Sequence, residues 1–100
     1  MVLDADTYIP IDLKVGHQRK LIELAMRHKD RLKGKNKAER ELAEQQLRDE
    51  LKSDPEIVGM FDPMTILMAI NVILTIIKLW KDRKPKGFRA RRGRIELIPE

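Results

Sequence analysis

Asp62-Pro63-Met64-Thr65-Ile66-Leu67-Met68-Ala69-Ile70-Asn71-Val72-Ile73-Leu74-Thr75-Ile76-Ile77-Lys78-Leu79-Trp80 is the stretch on which the fold turns. Asp is a good N-cap, and Pro suits the first helical position because its missing N–H would have no partner there. Pro85 and Gly87 stop the helix at the other end. The uncharged run from Pro63 to Ile77 has 15 residues. At about 1.5 Å per residue it spans roughly 22 Å, against a bilayer core of about 30 Å. Extending it to Trp80, with Lys78 snorkelling, gives about 27 Å. The first expectation is therefore a helix buried among protein, and the second a membrane-inserted one. Asn71, Thr75, Lys78 and Asp82 share one face at spacings of four, three and four, and Met68 extends it backward. A lone buried Asn often fixes register between packed helices, and an exposed one simply faces water. Ile66, Ile70, Asn71, Ile73, Leu74, Ile77 and Trp80 form the expected helix-packing interface.

The segment that follows is strongly basic. Residues 78–94 hold nine Lys and Arg against Asp82, a net of +8, whereas residues 1–77 hold 12 against 13, a net of −1. The overall charge of +5 thus belongs to one segment, which can meet nucleic-acid phosphates, anionic lipid headgroups or acidic protein. Lys84, Lys86, Arg89, Arg91, Arg92 and Arg94 are the expected anion-binding residues, with nucleic acid reached through residues 81–94. If the helix is membranous, this charge makes the C-terminus cytoplasmic. Arg94-Ile95-Glu96-Leu97-Ile98 then alternates like a short strand, and Pro99 ends it. A lone strand needs a sheet edge, which the sequence leaves to be found on a partner.

Working backward, Asp54-Pro55 repeats the capping device and starts a turn through Ile57 and Val58 that Gly59 should interrupt. From Val15 to Lys33, Leu21, Ala25, His28 and Leu32 recur at helical spacing, and Gly34 sits at a C′ stop. Asn36, with Glu39 three residues on, caps a second helix to about Lys52. Together these predict an αα-hairpin whose Leu21, Ala25 and Leu32 face Leu42, Leu47 and Leu51. Before it, Ile9-Pro10 favours extended chain. The fold expected is mainly α: an N-terminal extended arm (1–14), a charged helical hairpin (15–53), an apolar helix segment (54–83) holding the one long apolar helix, and a basic tail with a short C-terminal β-strand (84–100).

Most large aliphatic residues crowd into 57–80, and the aromatics are only Trp80, Tyr8, Phe61 and Phe88. A chain of 100 residues is marginal to begin with, so the sequence predicts that a partner, an oligomer or lipid completes the core. The absence of cysteine excludes disulfides and thiolate metal sites. Met1 to Pro10 lacks the apolar core of a secretory signal. With one serine, Ser53, and two histidines, His17 and His28, no nucleophile–base–carboxylate set can be assembled. No phosphate-cradling glycine loop is present and nothing calls for a cofactor, so the expectation is a protein that is not an enzyme.

Phe61-Asp62-Pro63-Met64-Thr65, the apolar run and the Lys/Arg-rich stretch to Arg94 resemble small virion proteins of tailed bacteriophages. In those, an Asp-Pro-x-Thr start leads into a short Ile/Leu/Ala helix. The resemblance covers about a third of the chain. It implies a structural part of a particle, in the tail, neck or genome-delivery apparatus, assembled in the host cytoplasm and without catalytic residues. The expected partners are other protein subunits, as a homo-oligomer or a hetero-assembly. A small membrane protein with one short span or interfacial helix, and a nucleic-acid-binding accessory protein, are the alternatives.

Overall fold

The computed structural model describes residues 8–99, so residues 1–7 of the expected arm lie outside the described residues. The fold is mainly helical. Helix α1 (Val15–His28) runs into a 3₁₀ turn (Lys29–Leu32), then α2 (Lys37–Lys52), α3 (Pro55–Met60) and the long α4 (Pro63–Arg83). Strands β1 (Tyr8–Pro10), β2 (Gly87–Arg91) and β3 (Arg94–Ile98) form one antiparallel sheet in the order β1-β3-β2.

Local chemistry sets the helix ends. The Asp62 carboxylate accepts from the Thr65 N–H at 2.8 Å and the Thr65 hydroxyl at 2.9 Å, starting α4. Asp54 accepts from the Glu56 N–H at 2.8 Å and starts α3, which passes through Gly59 without the expected interruption. Asn36 accepts from the Glu39 N–H at 2.9 Å, and its side-chain amide donates back to the Glu39 carboxylate. At its far end α4 closes on Lys84, whose φ of 47° lies in the left-handed region and whose N–H donates to the Trp80 carbonyl at 3.0 Å.

Helix α4 is the centre of the core. Ala69, Ile70, Val72, Ile73, Leu74, Ile76 and Ile77 are buried on it, in one cluster with Leu21, Leu24 and Ala25 of α1, Leu47 and Leu51 of α2, and Ile57 of α3. The buried residues of all four helices and of β3 thus form one cluster within this chain. Helices α1 and α2 follow each other across Gly34, as expected, but each packs chiefly on α4. Leu42, expected in the hairpin seam, is 62% exposed. The wide apolar side of α4 offers each charged helix more area to bury than their own narrow stripes offer each other.

Polar contacts hold the layers in place. Arg31 grips Glu50 through two nitrogens at 2.8 and 3.1 Å. Glu44 meets Lys78 at 3.4 Å, and Arg48 donates to Asn71 at 2.7 Å, so two turns of α2 are clamped along α4. Lys20 and Arg27 of α1 both reach Glu56, each at 3.2 Å.

Strand β3 occupies the expected residues, but its neighbours come from this chain. It is flanked by β2, drawn from the expected tail, and by β1, drawn from the expected arm. Ile9, Ile95 and Ala90 align across the strands on the inner face, and β2 packs against α1. Pro10 is tolerated because β1 is an edge strand.

Replacing a fully buried α4 residue should expose this dependence. Ile73→Ala is expected to cost about 2–5 kcal/mol in urea unfolding, while Leu42→Ala changes stability by less than about 0.5 kcal/mol.

Acid should also weaken the fold. Hydrogen bonds from Arg31 hold the Glu50 carboxyl below its ordinary 4.5, and those from Lys20 do the same for Glu56. Folded, these carboxyls bind protons more weakly than unfolded, so their stabilisation is present above about pH 4.5 and is lost as pH falls through the folded values. Burial, then Arg31, pushes His28 below its ordinary 6.5. Its proton is therefore taken up first by the unfolded chain, and stability declines below that pH as well. The urea midpoint should fall steadily as pH drops from 6.5, and His28→Gln should flatten the upper part of that fall.

Candidate functional site

Three surfaces at and around α4 are candidates for binding. The first is the outer face of the sheet. Strand alternation and register put Arg89, Arg91, Arg94 and Glu96 on that face, with Tyr8 and Pro10 beside them. Arg91 and Arg94 are direct cross-strand partners, an arrangement that repels. Glu96 relieves it, accepting from Arg94 at 2.8 Å and lying 3.8 Å from Arg91. Arg94 also lies over the Tyr8 ring, 5.8 Å from its centroid. Arg89 and Arg92 are exposed and have no ion pair among the described residues, and Gly93, at φ 82°, turns the hairpin beside Arg92. Lys84 and Lys86 are exposed where α4 gives way to β2. The expected basic tail is thus an ordered basic hairpin. Its alternating Arg89-Ala90-Arg91 pattern carried the signal for a strand, hidden beneath the charge.

The second surface is the start of α4. Met64 is 91% exposed, Leu67 52% and Met68 37%. They continue the same stripe as Asn71, Thr75 and Lys78, so the exposed side of α4 changes from apolar to polar along its axis. The expected packing residues lie elsewhere. Ile70, Ile73, Leu74 and Ile77 are buried in this chain's own core, and Ile66 is half-buried against it. Asn71 is exposed and accepts a hydrogen bond from Arg48 of α2 in the same chain.

The third surface was not foreseen. Beyond the end of α4, Lys29, Asp30 and Lys33 come beside Trp80, Lys81 and Lys84 around a cleft of about 400 Å³. Trp80, expected in a helix interface, is half-buried and faces the Lys29 ammonium, 4.3 Å from the ring centroid. Lys29 and Lys33 are far from Trp80 in the sequence, and only the tertiary fold brings them beside it.

Among the described residues no group of three His, Cys, Asp or Glu side chains is placed to hold a metal ion. Helix α4 is long and apolar enough to cross a membrane by length and composition, and 39% of its most apolar 18-residue window is buried within the chain. Comparison with known protein families, curated proteins and solved structures finds no match.

The outer sheet face yields a direct test of its charge balance. Glu96→Gln removes the carboxylate between Arg91 and Arg94 and should lower stability by ~0.5–1 kcal/mol in low salt. The loss should shrink as salt screens the two arginines, measured as paired melting curves at low and high ionic strength.

Proposed function

We propose that this chain is a non-enzymatic assembly protein that docks on a neighbouring protein subunit through the apolar start of α4 and holds a polyanionic partner on the arginine face of its sheet. One observation carries this reading: the two surfaces stand at opposite ends of α4. Met64, Leu67 and Met68 occupy its first turns, and the basic hairpin follows its last. Twenty-one helical residues separate the two by about 30 Å. The resemblance to small tailed-phage virion proteins points to a virion as the setting, with the tail, neck or genome-delivery apparatus as the place.

The apolar end is chemically suited to a protein neighbour because the exposed stripe turns polar at Asn71. That boundary limits what docking can bury to the first turns. A membrane is the second reading, favoured by the length and hydropathy of α4, with the basic hairpin against anionic headgroups on the cytoplasmic side.

The test separates the two ends. Leu67→Glu should abolish co-assembly with protein partners in sedimentation and leave polyanion binding unchanged. Arg89→Ala with Arg92→Ala should preserve assembly. The same double variant should lower the slope of log affinity against log salt for duplex DNA by roughly two, since each lost phosphate contact removes about 0.9. Flotation of the wild type with anionic vesicles, abolished by Leu67→Glu, would instead favour the membrane reading.

A further inference from the structure

The cleft at the end of α4 shares Lys84 with the approach to the basic hairpin and is otherwise built from residues that neither surface uses. Four lysines, Lys29, Lys33, Lys81 and Lys84, are among its lining residues, against a single acidic one, Asp30. None of the four has an ion pair among the described residues. Helix α4 ends here, and its free carbonyls carry about half a negative charge. The lysines exceed that and the Asp30 charge together, so the cleft keeps a surplus of roughly two to three positive charges. At about 400 Å³ it has the size of a small-molecule site.

One aromatic residue, Trp80, is in its lining. The Lys29 ammonium rests on the face of Trp80 rather than on a carboxylate. Such a contact is weaker than a charge-assisted hydrogen bond to phosphate, so a bound phosphate would draw Lys29 off the ring and free it for stacking. Lys84 adds a second mark. It is the only non-glycine residue among those described with a positive φ, and a lysine in that conformation is strained. The backbone thus accepts a cost that glycine would avoid, at a residue that lines the cleft.

We propose that this cleft binds a nucleoside phosphate, with the base laid along Trp80 and the phosphate held by Lys29, Lys33 and Lys84. The same chemistry is offered by a free nucleotide and by one unit of a nucleic-acid single strand.

Trp80 is the only tryptophan in the chain, so its fluorescence reports this site alone. The full chain is titrated with ATP, oligothymidylate, pyrophosphate and adenosine. ATP or oligothymidylate should quench Trp80 saturably. Pyrophosphate, which has no base, should bind without that quenching, and adenosine, which has no phosphate, should bind at least tenfold more weakly. Oligothymidylate binding tighter than ATP identifies a strand, and the reverse order identifies a free nucleotide. Lys33→Ala should weaken binding about tenfold. Lys84→Gly should do so too, and because glycine favours this φ the variant keeps its fold, as melting curves will verify. Arg89→Ala with Arg92→Ala should leave the Trp80 response intact, so this site and the sheet face succeed or fail separately. The proposal is overturned if no base-bearing phosphate quenches Trp80 at millimolar concentration. It is also overturned if Lys33→Ala and Lys84→Gly both bind as the wild type does, or if the arginine variant abolishes the response.

Discussion

Ile70, Ile73, Leu74 and Ile77 lie along one side of α4, and covering them is the constraint from which the other elements take their positions. A helix this apolar cannot leave that side in water, and most of its cover is a pair of highly charged helices with thin apolar stripes, joined by Ile57 of α3 and Ile95 of β3. Neither stripe is wide enough to make a stable hairpin with the other. Both are wide enough to close on α4. The result is a central apolar helix with Leu21 and Leu24 on one flank and Leu47 and Leu51 on another. The charged faces of α1 and α2 are turned outward, where Lys20, Arg27 and Arg31 find acidic partners on α2 and α3.

That arrangement explains which parts of the fold were legible in the sequence. Asp62-Pro63 and Asp54-Pro55 announce helix starts through chemistry confined to four residues, so both read correctly. The alternation from Arg94 to Ile98 is also local, and β3 falls on those residues. The seam between α1 and α2 was misread because periodicity reports which face of a helix is apolar, not what will cover it. Strand β2 was missed because arginine dominates Phe88-Arg89-Ala90-Arg91 and makes a strand resemble a solvated tail. Gly59 was misread as a break, since a short capped helix tolerates one glycine.

The candidate sites divide in the same way. The arginines of the hairpin were legible by composition, and the strand register then explained why three of them share a face. The Lys29–Trp80 cleft was illegible because its residues come from stretches some fifty positions apart. Charge supply separates these basic groups from those elsewhere. Acidic residues are plentiful before Asp62 and sparse after it, so Arg91 and Arg94 share the single Glu96 while Arg89 and Arg92 have no ion pair among the described residues.

The order of strands also governs when the sheet can exist. Tyr8 pairs with Glu96, and the Ile11 N–H donates to the Gly93 carbonyl at 3.0 Å. During synthesis β1 leaves the ribosome long before β3 does, and has nothing to bond until nearly the whole described chain has followed. The helices can collapse around α4 earlier, because their contacts need only the chain up to Arg83. Closure of the sheet is thus a late, long-loop event. The arginine face therefore comes into being only after the core that carries it, and a nascent chain halted before residue 94 would have its apolar centre but no finished basic surface.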